Sequence, residues 1–306
     1  MGQERHDDAH QVVTTGSASI GSRGFKPGAW FRHSDVHILL VSLGWILGSS
    51  ALVGRTVAWP FLMLACVGSF LVYRVDRLFV HSPEDVVNAN ERVGFTVQYR
   101  VVLVAIAVVM TFAAAWAAFH LELAWMEVSL AVGMLGLVYP LRILPGGRRP
   151  KDIPWIKTLL IAGCWVGGGV VLPAVMPNQG PSVRFEALLT LVVYRTLNII
   201  PNLLIADWVD RVGDPVTGWG GKVSAAVLQR LILAIILLQG VFVGIMIAQG
   251  FLKALLVVDA LIFICMACNG LLMIKKGQGK VLQLDLWICL TAVNWMFCYF
   301  GAHCLS

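Results

Sequence analysis

The sequence predicts an all-α, multi-pass membrane protein with nine transmembrane helices. Three observations carry that reading. The chain is 58% hydrophobic with a mean hydropathy of +0.80, it holds nine apolar runs of membrane-crossing length, and its basic residues lie mostly to one side. Soluble domains are far less apolar. A hydrocarbon core of about 30 Å takes about 20 helical residues. Runs of that length fall at 36–54, 57–75, 101–121, 124–142, 157–176, 185–206, 226–247, 251–274 and 284–303. With the N-terminus in the cytoplasm, the tail and the connections after spans two, four, six and eight, with their flanks, hold 19 of the 23 Lys and Arg. Arg55, Arg184 and Lys253 fall on the opposite side, and Arg195 lies inside a span. The preference of Lys and Arg for cytoplasmic loops therefore sets an N-in, C-out orientation with the longer loops on the cytoplasmic face.

Residues 1–35 are polar, rich in Gly and Ser at first, and lack an apolar secretion segment. They read as a disordered cytoplasmic tail, and 36–306 reads as one nine-helix domain. Span two ends in "VYRVDRLF", which sets Asp76 between Arg74 and Arg77. Span four runs into "YPLRILPGGRRPKDIPWIKTLL", which supplies Arg142, Arg148, Arg149, Lys151 and, at the start of span five, Lys157. Span six carries Arg195, Asn198 and Asn202 on one face, with Pro201 expected to kink it. Span eight carries Asp259. Intramembrane ionisable groups face a cavity or a partner, so Arg195 and Asp259 either pair with each other or line a cavity with the two asparagines. The seven cysteines lie in or beside spans, where thiols pack as small hydrophobes. The net charge of +6 follows from the one-sided loops and implies no nucleic-acid partner.

The densest chemistry is "IADWVDRVGD" at the cytoplasmic end of span six, with Asp207, Asp210 and Asp214 at spacings of three and four. That spacing gathers all three on one helical face, and Pro215 disfavours helical geometry at Asp214. A helix C-terminus carries partial negative charge, so the cluster needs a cation. Arg211 supplies part of it, and clustered carboxylate oxygens suit Mg²⁺, which takes one or two carboxylates, waters and substrate phosphates. The plainer reading is a solvated loop with ordinary surface acids.

These residues resemble the UbiA-type superfamily of intramembrane prenyltransferases. "DWVDRVGD" matches the DxxDxxGD form of that family's second Asp-rich motif, supported by Tyr139, Pro140 and the "KDIPWIKTLL" stretch. The resemblance covers the chain from about residue 36 onward. It implies nine helices around a lipid-accessible central cavity, with Asp76, Asp207, Asp210 and Asp214 as Mg²⁺ ligands. It also implies a prenyl diphosphate and an aromatic or other lipophilic acceptor as substrates, with Lys157 on the diphosphate and Arg74, Arg77, Arg142, Tyr73 and Tyr139 beside it. Arg195, Asn198 and Asn202 would then serve the second substrate. The family's first motif, NDxxDxxxD, is degenerate here: aligned on Asp76, its key positions are Val72, Tyr73, Asp76 and Val80. Glu84, Asp85, Asn88 and Glu91 in the following segment are alternative ligands. Tyr73, Trp165 and Tyr194 are candidate aromatic faces for a carbocation. Two other functions compete with prenyl transfer: a terpene cyclase acting on the same diphosphate without an acceptor, and a non-enzymatic lipid-binding or transport protein.

Overall fold

Apolar runs of membrane-crossing length form helices here, and all of the elements are helical among the described residues. The computed structural model describes residues 27–79, 90–139, 141–147, 149–177, 182–209, 223–251, 253–277 and 281–297. In chain order the helices are α1 (Pro27–His33), α2 (Val36–Leu52), α3 (Trp59–Phe79), α4 (Asn90–Gln98), α5 (Arg100–Phe119) and α6 (Leu123–Val138). Then come α7 (Pro154–Val166), α8 (Phe185–Val209), α9 (Ala225–Ala248), α10 (Lys253–Lys276) and α11 (Val281–Cys289). Each run read as a span contains helix among the described residues, but α11, in the run 284–303, ends at Cys289, and 298–303 lie outside the described residues.

Among the described residues five helical segments are long and apolar enough to cross a membrane: Arg100–Phe119, Trp155–Val175, Phe185–Val209, Ala225–Ala248 and Lys253–Lys276. Val36–Leu52, Leu123–Val138 and Leu282–Phe297 are apolar but shorter. α3 is 21 residues long but ends in Arg74, Asp76 and Arg77. The outward faces of α5 and α9 are as greasy as their inner ones: Val101 is 84% exposed and Leu237 75%. Such surfaces are stable only against hydrocarbon, so the chain is an integral membrane protein.

Local sequence places the helix ends. Pro154 opens α7 at a position where its missing N–H costs nothing. Ser224 caps α9 by accepting the Val227 N–H at 3.3 Å. Gly250, at φ 90°, closes α9, with Phe251 N–H on the Met246 carbonyl at 3.0 Å and Gly250 N–H on that of Ile247 at 3.1 Å. Only a residue free of Cβ crowding takes that φ without strain.

Polar side chains buried among apolar helices hold the bundle together, and α8 is the hub. Arg195 pairs with Asp259 of α10, Asn198 accepts from Gln239 of α9 at 2.8 Å, and Asn202 donates to Asp285 of α11 at 3.2 Å. Each is a hydrogen bond whose loss would leave a polar group in an apolar interior. Pro201 sits buried within α8, which continues through it as one helix. α2 and α11 approach most closely where Gly44 and Gly48, four residues apart, face α11 and its continuation. A Cβ at Gly44 would stand 2.7 Å from the Cys289 carbonyl oxygen, and one at Gly48 2.6 Å from that of Thr291.

The ordered fold begins before residue 36, where the sequence places a disordered tail. Residues 27–33 form α1, and Trp30 packs on Phe95 and Tyr99 of α4 and the turn after it, with ring centroids 5.1 Å apart in both cases. Asp35 follows in the left-handed region at φ 63°, fully buried and ion-paired to Arg74 at 2.7 Å and to Arg77. The reason is charge balance: span two brings two guanidiniums to its end, and Asp35 is the acid that makes Arg74 tolerable inside. Residues 1–26 of the expected tail lie outside the described residues.

Candidate functional site

A cavity of about 950 Å³ opens between α2, α3, α6, α7, α8 and α11. Its inner walls are apolar, with Trp45, Phe61, Leu160, Leu172 and Ile288 among them. Its other end collects charge, because the C-terminal turns of α3 and α8 and the N-terminal turns of α2, α7 and α11 all meet there. Asp76 and Asp207, 131 positions apart in the sequence, both line it.

Each acid holds a lysine, Lys151 from the segment that joins α6 to α7 and Lys157 from the first turn of α7. Lys151 Nζ lies 3.0 Å from Asp76 Oδ1, and Lys157 pairs with Asp207. A tight turn aims them. Asp152 accepts the Arg149 N–H and its Nε–H, each at 2.9 Å, which fixes the short helix Pro150–Asp152 that carries Lys151. Burial pushes the Asp152 carboxyl up, but the Arg149 hydrogen bonds and charge outweigh it and hold the group below the usual carboxylate range. Tyr139, at the end of α6, also lines the cavity, and the charges of Asp76 and Asp207 both reach it. Arg77 lines the same mouth, 5.8 Å above the Tyr73 ring, and Glu91 and Arg92 of α4 close its rim.

The sequence-predicted residues divide by place. Tyr73, Asp76, Arg77, Tyr139, Lys157, Asn202 and Asp207 come together around the cavity, with Trp165 deeper in. Arg74 does not line the cavity; it is fully buried behind it, bonded to Asp35 and the Ser34 carbonyl. Arg142 is exposed and off the cavity. Arg195 and Asp259 form the two-pronged pair that the sequence left as one of two readings. Both are 0% exposed, with nitrogen–oxygen distances of 2.9 Å on each prong. Tyr194 donates to the same carboxylate and is buried away from the cavity, and Asn198 is engaged by Gln239. Asp210, Asp214, Val80, Glu84, Asp85 and Asn88 lie outside the described residues, as do Arg211 and Pro215.

Sequence reasoning missed Asp285 and His37. Both line the cavity, from the first turns of α11 and α2, and His37 Nε2 is 3.7 Å from Asp285 Oδ2. The signal was present: Asp285 is a lone acid in the apolar run "VLQLDLWICL", of the kind that marks a functional position in a membrane helix.

Mg²⁺ is the metal that the second motif implies. Among the described residues no three His, Cys, Asp or Glu side chains group closely enough to hold a metal ion. The donor chemistry fits nonetheless: Asp76 and Asp207 offer hard carboxylate oxygens at one mouth, and Mg²⁺ completes its shell with water and substrate phosphate rather than a full protein cage. No family model matches the chain, and neither a curated protein nor a solved structure matches it significantly.

Proposed function

We propose that this chain is an intramembrane prenyltransferase with nine crossing helices and a cytoplasmic N-terminus. It ionises an isoprenoid diphosphate at its cytoplasmic mouth and transfers the prenyl group to a lipophilic, aromatic acceptor. One observation carries the reading: a single cavity joins two acids and two lysines at one end to an apolar interior at the other. A prenyl diphosphate has that same division, a polyanionic head on a hydrocarbon tail.

Lys157, Lys151 and Arg77 supply the positive charge for the head, and the walls lined by Leu160, Leu172 and Ile288 take the tail out of water. Asp76 and Asp207, with Asp210 and Asp214 from the same stretch as Asp207, would hold Mg²⁺, which when bound would supply charge neutralisation to the diphosphate leaving group. Lys151 and Lys157, which pair with those acids at the mouth, are the side chains proposed to bind diphosphate oxygens. The rings of Tyr73 and Trp165 face the space where an allylic cation would form, and cation–π attraction is worth about 2 kcal/mol when desolvated. Tyr139, which lines the same cavity, is the proposed hydroxyl donor to the leaving group.

The test is incubation of the purified protein in detergent with C10, C15 and C20 prenyl diphosphates and Mg²⁺, with pyrophosphate release and lipid products measured together. Prenylated acceptor supports transfer. Hydrocarbon formed from the donor alone identifies a terpene cyclase instead, and absence of pyrophosphate release leaves a lipid-binding or transport role.

A further inference from the structure

The acids that hold lysines at the mouth leave one cavity carboxylate over. Asp285 stands on the wall formed by α11, with a side chain 15% exposed. Its Oδ1 accepts from the Asn202 amide at 3.2 Å. Its Oδ2 receives no hydrogen bond among the described residues, and His37 Nε2 stops 3.7 Å short of it. The groups that face it from neighbouring helices are few. α2 contributes His37, α8 contributes Asn202, and α3 contributes Arg77 and Tyr73, whose interactions with it are electrostatic rather than direct. On α10, Asp259 is committed to Arg195, and Lys275 and Lys276 are exposed. On α11 itself, Cys289 donates its thiol to the Asp285 backbone carbonyl.

We infer that Asp285 is the general base of the site: its Oδ2 takes the proton that must leave once the prenyl cation has been captured. The inference rests on the prenyl-transfer reading. The balance is as follows. The C1–O bond of the prenyl diphosphate breaks, and its electron pair leaves on the diphosphate oxygen. An electron pair of the acceptor forms the new bond to C1. The acceptor then carries one proton too many, which passes to the Asp285 carboxylate. Should the cation instead attack its own double bonds, the final carbocation must lose a proton in the same way.

The placement suits this role. Asp76 and Asp207 each carry a cation already and are committed to the diphosphate end, so they are poor proton acceptors. Asp285 lines the cavity, and its Oδ2 receives no hydrogen bond among the described residues. Asn202 fixes its orientation and leaves the other oxygen for the substrate. Positioned bases contribute about 10²–10⁴-fold to proton transfer.

The experiment compares wild type with Asp285→Asn and Asp285→Glu in detergent, using geranylgeranyl diphosphate as donor and phenol, hydroquinone and 1-naphthol as probe acceptors. Pyrophosphate and deprotonated lipid product are measured separately, across pH. Asp285→Asn is expected to release pyrophosphate within about threefold of wild type, with water trapping the cation as prenyl alcohol. Its deprotonated product should fall by about 100-fold or more. Wild type is expected to lose rate toward low pH, and that loss should vanish in Asn and return in Glu, a change that a purely structural residue would not produce. Equal product from Asp285→Asn and wild type would overturn the inference and leave the diphosphate itself as base. Parallel loss of pyrophosphate and product in a folded Asn variant would overturn it too, by placing Asp285 in the ionisation step. If Asn does not fold, absence of the acid-side rate loss in a folded Asp285→Glu overturns it. No pyrophosphate release by wild type would count against prenyl transfer itself, not against the base assignment alone.

Discussion

The two single losses at the Arg195–Asp259 pair should together cost more than removing the pair whole. Both groups are 0% exposed and bind through two parallel contacts of 2.9 Å. Removing one partner of such a pair leaves a buried uncompensated charge, at about 3–5 kcal/mol. The two single losses are not equivalent. Arg195→Leu leaves Asp259 with two donors, the Tyr194 hydroxyl at 2.9 Å and the Asn294 amide at 3.1 Å, so its cost should lie at the lower end. Asp259→Leu leaves a guanidinium among the rings of Trp45, Phe263 and Tyr194, at 5.1, 5.5 and 5.7 Å. Ring contacts return about 2 kcal/mol, less than the charge requires, so this variant should be the less stable. The double change to Leu removes both charges and strands only the Tyr194 and Asn294 donors, at about 1–3 kcal/mol each. The double-mutant cycle should therefore show a coupling of at least about 2 kcal/mol. Equilibrium unfolding in mixed detergent, followed by Trp fluorescence, measures it. Additive losses would refute the pair as the reason for these charges.

Gly44→Ala drives a methyl group to 2.7 Å from the Cys289 carbonyl oxygen and should cost about 1–3 kcal/mol as overpacking, measured by the same unfolding assay. Gly240→Ala, which meets nothing within 4 Å, should be neutral or slightly stabilising by helix propensity. Lys157→Met and Asp76→Ala should each cut pyrophosphate release at least tenfold, about 1.4 kcal/mol of transition-state stabilisation, whereas Arg142→Ala, exposed and off the cavity, should leave it unchanged. Asp152 is depressed in the folded state, so its contribution is complete above the unfolded carboxylate value of about 3.9 and is lost as pH falls through its lower folded value. The stability difference between wild type and Asp152→Asn should hold constant above about pH 5 and shrink only in acid.

The helices were legible in the sequence because membrane-length apolar runs leave no alternative to hydrogen-bonding their own backbone. Their extent was less so. α2 and α6 stop short of their spans, and α1 was invisible because seven residues, Pro27–His33, are too few to show a period. The site was legible where charge stood out from an apolar background, as at Asp76, Lys157 and Asp207. It was hidden where pairing is set by packing. Nothing in "VYRVDRLF" tells that Arg74 turns inward to Asp35 while Arg77 also reaches the cavity. Arg195, Asn198 and Asn202 share a helical face in the sequence, yet each meets a different neighbouring helix. Only Asn202 reaches the cavity, because α8 runs past it and only its later turns border the opening. Asp285 and His37 each looked like a single polar residue at the edge of a span until the fold set them side by side.

The central claim is that the mouth around Asp207 ionises a prenyl diphosphate, and pyrophosphate release measures that directly. Purified protein given geranylgeranyl diphosphate and Mg²⁺ should release pyrophosphate, lose that activity with EDTA, and regain it when Mg²⁺ is restored. Asp207→Asn should release it at least tenfold more slowly while staying folded. Release at the wild-type rate from Asp207→Asn, or none from wild type with any C10, C15 or C20 donor, would contradict the account.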